Sequence, residues 1–242
     1  MSELKEYAAW DAPTRWFHWI NVLAVIGLVG TGLDILFGNP LGLSAPGKVI
    51  LKDVHVSFGY VMAVNLMWRF AWAFFGNSYA SWRAVIPGGP GYLAALRAYA
   101  VSFVAGEPQQ YVGHNPFARI AVALLFLLLL LQAVTGLVLA GADLYWPPFD
   151  HWFAAWVAAP GVDPSSVVPG ATELIDPTSY AAMRAFRSPF VQVHELGFYA
   201  LTVLIVIHIA AVVVTEVREG GSITSAMFTG RKILSRPPPD AP

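Results

Sequence analysis

The chain has 242 residues, of which 57% are hydrophobic and only 12% charged, with a formal net charge of −1. Soluble domains carry about 25% charged residues, so half the usual charge is missing, and the near-zero balance gives no basis for a nucleic-acid partner. With no cysteine, disulfides, iron–sulfur clusters, thioether-attached cofactors and cysteine nucleophiles are excluded, and a metal must be held by His, Met or carboxylates.

Four apolar runs account for the missing charge. A bilayer crossing takes roughly 20 mostly apolar residues. The first run covers residues 17–37. It is too long for the apolar region of a secretory signal and no small-residue cleavage site follows, so it is expected to remain as a helix. A short Gly/Pro-rich connection leads to the second run, residues 54–75, which holds one charge, Arg69. The next connection, 76–116, carries Trp82, Tyr92, Tyr99 and Tyr111. Within it, residues 92–104 are apolar but too short to span, which predicts an interfacial helix. The third run, 118–140, is the clearest. A long acidic connection follows, 141–189, with Asp143, Asp150, Asp163, Glu173 and Asp176, and is expected to form an external platform. The fourth run covers 193–217. The expected fold is therefore an all-α membrane protein, a four-transmembrane-helix bundle with an interfacial helix in the second loop and a long external third loop. It forms a single domain over 1–236, with a Pro-rich disordered tail at 237–242.

Cytoplasmic segments hold the excess of Lys and Arg. With the N-terminus inside, Lys5, Arg15, Arg69, Arg83, Arg97, Arg119, Arg218, Arg231, Lys232 and Arg236 fall on the cytoplasmic side, and Lys48, Lys52, Arg184 and Arg187 outside. Both termini are thus expected in the cytoplasm.

Four of the six histidines, His18, His55, His194 and His208, lie on or beside apolar runs. An ionisable group inside a membrane segment is costly and points to function. His194 and His208 are fourteen residues apart, about 21 Å along one helix and roughly on one face. The up-and-down topology then matches His55 with His194 near the external surface and His18 with His208 near the cytoplasmic one. Each pair can supply both axial nitrogens of a six-coordinate haem, which suits electron transfer because no position is left for substrate. A histidine at a membrane interface is often merely solvated or hydrogen-bonded, but that does not explain four that pair by depth and face. Gly32 follows His18 by fourteen residues and Arg69 follows His55 by fourteen. Gly32 leaves room for a porphyrin edge or for ordinary helix packing, and Arg69 either meets a propionate or snorkels to the interface. His151 reads as a solvated loop residue. His114 and Asn115 precede Pro116, which reads either as a helix cap or as contacts to a quinone headgroup.

Several segments carry a resemblance: Asp11-Ala12-Pro13-Thr14-Arg15-Trp16-Phe17-His18-Trp19, Gly76-Asn77-Ser78-Tyr79, Gly113-His114-Asn115-Pro116, His194-Glu195-Leu196-Gly197 and Ser222-Ile223-Thr224-Ser225-Ala226-Met227. Together they resemble the b-type cytochrome subunit of membrane-bound nickel–iron hydrogenases, within the bacterial cytochrome b561 family, with the formate dehydrogenase gamma subunit more distant. The resemblance implies two haem b groups, with iron ligands His18, His55, His194 and His208. It also implies an electron-transfer subunit in the lipid of the bacterial inner membrane. Such a subunit anchors a periplasmic redox partner (a hydrogenase small subunit or similar) and passes its electrons to quinone near the cytoplasmic haem. It is not a self-sufficient catalyst. The 141–189 loop is longer and more acidic than the usual hydrogenase version, which leaves open another periplasmic partner, such as a cytochrome c. A stand-alone quinone reductase of the cytochrome b561 type is the alternative. A haem-free anchor or transporter is the rival from a third class, but transporters show internal repeats and broken helices, and neither is legible here.

Overall fold

The computed structural model describes residues 4–38, 40–220 and 222–241. In chain order the elements are β1 (Lys5–Ala8), α1 (Ala12–Leu36), α2 (Ala45–Phe75), α3 (Trp82–Val85), α4 (Tyr92–Val104), α5 (Pro116–Leu144), α6 (Asp150–Val157), α7 (Pro177–Glu219), α8 (Ile223–Thr229) and β2 (Arg231–Leu234), with three short 3-10 turns between them. Helices α1, α2, α5 and α7 are long and apolar enough to cross a membrane, and the chain is a multi-pass, all-α membrane protein. Their large apolar side chains stay exposed, among them Leu23, Ile26, Leu127, Val203 and Val206. That is what lipid demands: the tails are as apolar as the side chains, so burial within protein brings no hydrophobic gain.

The helices outrun the apolar runs. Helix α2 begins at Ala45 and α7 at Pro177, so the expected 141–189 loop is helical at both ends. Hydropathy reports residence in lipid and stops at Lys48, Lys52, Arg184 and Arg187, whereas the backbone ladder continues into water. Pro189 also reads as a boundary, because the residue before a proline disfavours the helical region, yet it lies inside α7. The remaining loop has its own core of Phe153, Ala154, Val157 and Val167 against Ala142 and Met183. Helix α4 stands where the interfacial helix was expected.

The chain divides into two compact units, and each takes one portion of every long helix. The first comprises residues 1–20, 65–128 and 201–242; the second comprises 21–64 and 129–200. In the first, β1 pairs antiparallel with β2, Lys5 facing Leu234 and Ala8 facing Arg231, and Ala9, Trp10, Val112, Ala226 and Leu234 pack beneath. Gly230 ends α8 at φ 81° and accepts the Ala9 and Trp10 amides. A Cβ there would stand 2.6 Å from the Trp10 carbonyl, so only glycine fits both the left-handed backbone and the contact. Asp11 caps α1 through the Thr14 amide and also accepts the Trp72 indole and the Asn77 amide. Burial raises its pKa, but these hydrogen bonds outweigh it and hold the carboxyl below its usual value.

Candidate haem-binding site

In the second unit α1 faces α2 through a two-residue device. Thr31 Oγ1 lies 2.7 Å from the Gly27 carbonyl and 2.8 Å from His55 Nδ1. The same device recurs between α5 and α7, where Thr135 Oγ1 lies 2.7 Å from the Leu131 carbonyl and 2.8 Å from His194 Nδ1. A hydroxyl has one proton and two lone pairs, and a carbonyl only accepts. Each threonine therefore spends its proton on its own helix, four residues back, and offers a lone pair to the ring. The imidazole must then donate from Nδ1, which leaves the Nε2 lone pair of His55 and of His194 free for a metal.

The glycine after each threonine clears the space for that ring. A Cβ on Gly32 would stand 3.2 Å from His55 Cε1, and one on Gly136 would stand 3.3 Å from His194 Cε1. Gly32 thus makes room for the histidine ring itself. Gln132, one turn before Gly136, donates to the His194 carbonyl at 3.0 Å.

The two rings lie 6.5 Å apart between centroids. A metal–imidazole bond is about 2.0–2.1 Å and a ring nitrogen stands roughly 1.1 Å from the ring centre, so one metal held linearly by two imidazoles separates their centroids by about 6.3 Å. The donor set, the tautomer and the separation all fit an iron with two axial histidines. At the rim of this unit Asp143 holds Arg187 Nε at 2.5 Å and Lys52 Nζ at 3.2 Å.

The first unit holds His18 and His208. His18 Nδ1 is shielded and has no hydrogen-bond partner. Arg69 lies in the same unit, 3% exposed. Its Nη2 donates to the Ala80 carbonyl at 2.8 Å, its guanidinium stands 5.5 Å from the Phe126 ring centre, and its Nη1 has no partner. An orphaned guanidinium nitrogen in an apolar setting fits an anionic group such as a propionate.

His114 also belongs to this unit. It packs on Trp10 at 4.8 Å, and its Nδ1 lacks a partner. Burial and the positive charges of Lys232 and Arg69 lower its pKa to about 3, so the ring is neutral. Asn115 Oδ1 caps the Ala118 amide at 2.8 Å and Nδ2 donates to the Tyr99 hydroxyl at 2.9 Å. Tyr99 in turn donates to Glu219 at 3.0 Å. Lys232 Nζ donates to the carbonyls of Tyr111 and Gly113. The end of the chain, expected to be disordered, folds against this cluster: Asp240 accepts the amides of Val112 and Gly113, both at 2.8 Å. Pro242 lies outside the described residues. His151 stands in α6.

Thr31, Thr135 and Gln132 were not singled out from sequence, although a signal was there. The dipeptide Thr-Gly occurs once in the first apolar run and once in the third, each time as a small polar residue beside a glycine inside a helix meant for lipid.

Among known proteins, the chain is similar to probable Ni/Fe-hydrogenase B-type cytochrome subunits. The one from Bradyrhizobium diazoefficiens is 31% identical over 92% of this chain and 84% of its own length. Those from Rhizobium leguminosarum bv. viciae and Cupriavidus necator are 28% and 26% identical, over 96% and 94% of this chain and 91% and 87% of their own lengths. No solved structure matches. The prokaryotic cytochrome b561 family matches residues 9–230, and the chain belongs to that family of membrane-embedded b-type cytochromes.

Proposed function

We propose that this protein is a di-haem b-type cytochrome that anchors a periplasmic hydrogenase to the bacterial inner membrane and delivers its electrons to the quinone pool. The observation that carries the reading is the His55–His194 pair, with centroids 6.5 Å apart and each Nδ1 facing a threonine hydroxyl. The hydrogenase partner rests on the names of the relatives and on the coverage of both chains. Both termini face the cytoplasm in this reading, which puts His55 and His194 at the external end of their helices.

A haem held at each histidine pair would supply one-electron redox chemistry. The chain's part is to hold and insulate. His55 and His194 would hold one iron through Nε2, and Gly32 and Gly136 leave the space their rings occupy. His18 and His208 would hold the second iron. Arg69 Nη1 would pair with a propionate, which would offset the cost of a buried cation. The quinone site is assigned to the neighbourhood of His114 and Asn115: His114 Nδ1 is free to meet a carbonyl or hydroxyl, and Asn115 also donates to Tyr99.

A reduced-minus-oxidised spectrum with pyridine haemochrome quantification of the detergent-purified protein tests the reading. Two haem b per chain with a sharp low-spin α-band is the expected result. His55→Ala and His194→Ala each lose the same one haem and keep the other. Absence of haem, or loss of both from a variant that still folds, overturns it.

A further inference from the structure

The threonines do more than fix a tautomer. Thr31 and Thr135 each give their proton to a carbonyl at 2.7 Å, and a hydroxyl polarised in this way is a stronger acceptor toward its other partner. That partner is an axial imidazole in both cases, at 2.8 Å. An acceptor on the distal ring nitrogen raises the basicity of the ligating one. A more basic axial pair favours ferric over ferrous iron and lowers the reduction potential. In the other unit His18 Nδ1 has no hydrogen-bond partner, so this push is missing from at least one of its two ligands.

From this asymmetry we infer that Thr31 and Thr135 are positioning residues that act through His55 and His194 to make the haem between them the lower-potential one of the two. The inference rests on the di-haem reading above. It gives the electron path a direction: entry at the haem of His55 and His194, then a downhill step to the haem of His18 and His208.

The test is a potentiometric titration of the detergent-purified holoprotein, read by the α-band and by low-spin electron paramagnetic resonance, for the parent, Thr31→Val/Thr135→Val and Thr31→Ser/Thr135→Ser. Valine keeps the shape and removes the hydroxyl; serine keeps the hydroxyl. In the parent, the lower of two potentials belongs to the haem lost in His55→Ala. In the valine variant that potential rises by about 59 mV, a tenfold shift in a one-electron equilibrium, while the other stays in place, and serine restores it. Loss of that haem in the valine variant with retention in the serine variant also supports the role. Unchanged potentials with both haems bound overturn the inference and leave the di-haem reading intact, as does a valine defect that serine does not repair. A parent protein without two haems defeats the underlying reading instead.

Discussion

Gly32→Ala and Gly136→Ala test the cradle around the axial rings. The added Cβ would stand 3.2 Å from His55 Cε1 and 3.3 Å from His194 Cε1, where carbon contacts are most favourable at about 3.5–4.0 Å. A few tenths of an ångström must be found. The backbone of a packed helix does not yield easily, and the ring cannot tilt away without stretching its 2.8 Å contact to the neighbouring threonine. Overpacking of this kind costs about 1–3 kcal/mol. Alanine also brings up to about 1 kcal/mol of helix propensity over glycine in water, and less in lipid, where the backbone is helical before the helices associate. The control sits two residues away: a Cβ on Gly30 meets nothing within 4 Å, so Gly30→Ala carries the propensity gain alone. Haem retention after detergent dilution, measured by haemochrome, and thermal unfolding of the same samples are the assays. Gly32→Ala and Gly136→Ala should lose haem from the same site, with unfolding about 1–3 kcal/mol easier than in Gly30→Ala. If Gly32→Ala retains haem and unfolds like Gly30→Ala, the cradle argument is wrong.

Asp11→Ala removes the acceptor of the Thr14 and Asn77 amides and of the Trp72 indole, and loss of a cap of this sort should lower detergent stability by about 1–2 kcal/mol. Asp143→Ala strands Arg187 and Lys52, whose contacts are 2.5 and 3.2 Å. It should cost about 2 kcal/mol, whereas Glu6→Ala, which breaks the exposed pair with Arg231, should cost at most about 1 kcal/mol in the same denaturation series. Lys232 is held at a pKa of about 8 by burial, partly offset by Glu219 and Asp240, against an ordinary 10.5. Between those values the unfolded chain binds more protons than the folded one, so stability rises with pH in that window. Burial raises Tyr99 and Tyr111, and they oppose the trend once free tyrosines ionise near pH 10. The parent should therefore gain stability relative to Lys232→Met as pH goes from 8 to 10, and parallel curves for the two proteins would refute the assignment.

How much of this was legible depends on which physical property a residue reports. The four long helices were readable because lipid imposes a composition on anything that crosses it; their water-side extensions were not, since a helix start at Ala45 or Pro177 leaves no mark in hydropathy. The histidines were readable as ionisable groups where ionisable groups are expensive, and the fourteen-residue spacing of His194 and His208 gave their shared face. The structure brings His55 and His194 into one unit and His18 and His208 into the other. What a spacing rule cannot give is the partner across a helix interface. Gly32 was selected for its distance from His18, yet the ring it accommodates is His55, on the next helix. The third apolar run has no histidine, yet α5 carries Thr135, Gly136 and Gln132, all turned to His194. A threonine in a membrane helix usually returns its hydroxyl to the carbonyl four residues back and is then chemically silent. Here that same bond is what turns the remaining lone pair outward. A bare Thr-Gly step in an apolar helix becomes informative once a histidine is known to stand against it.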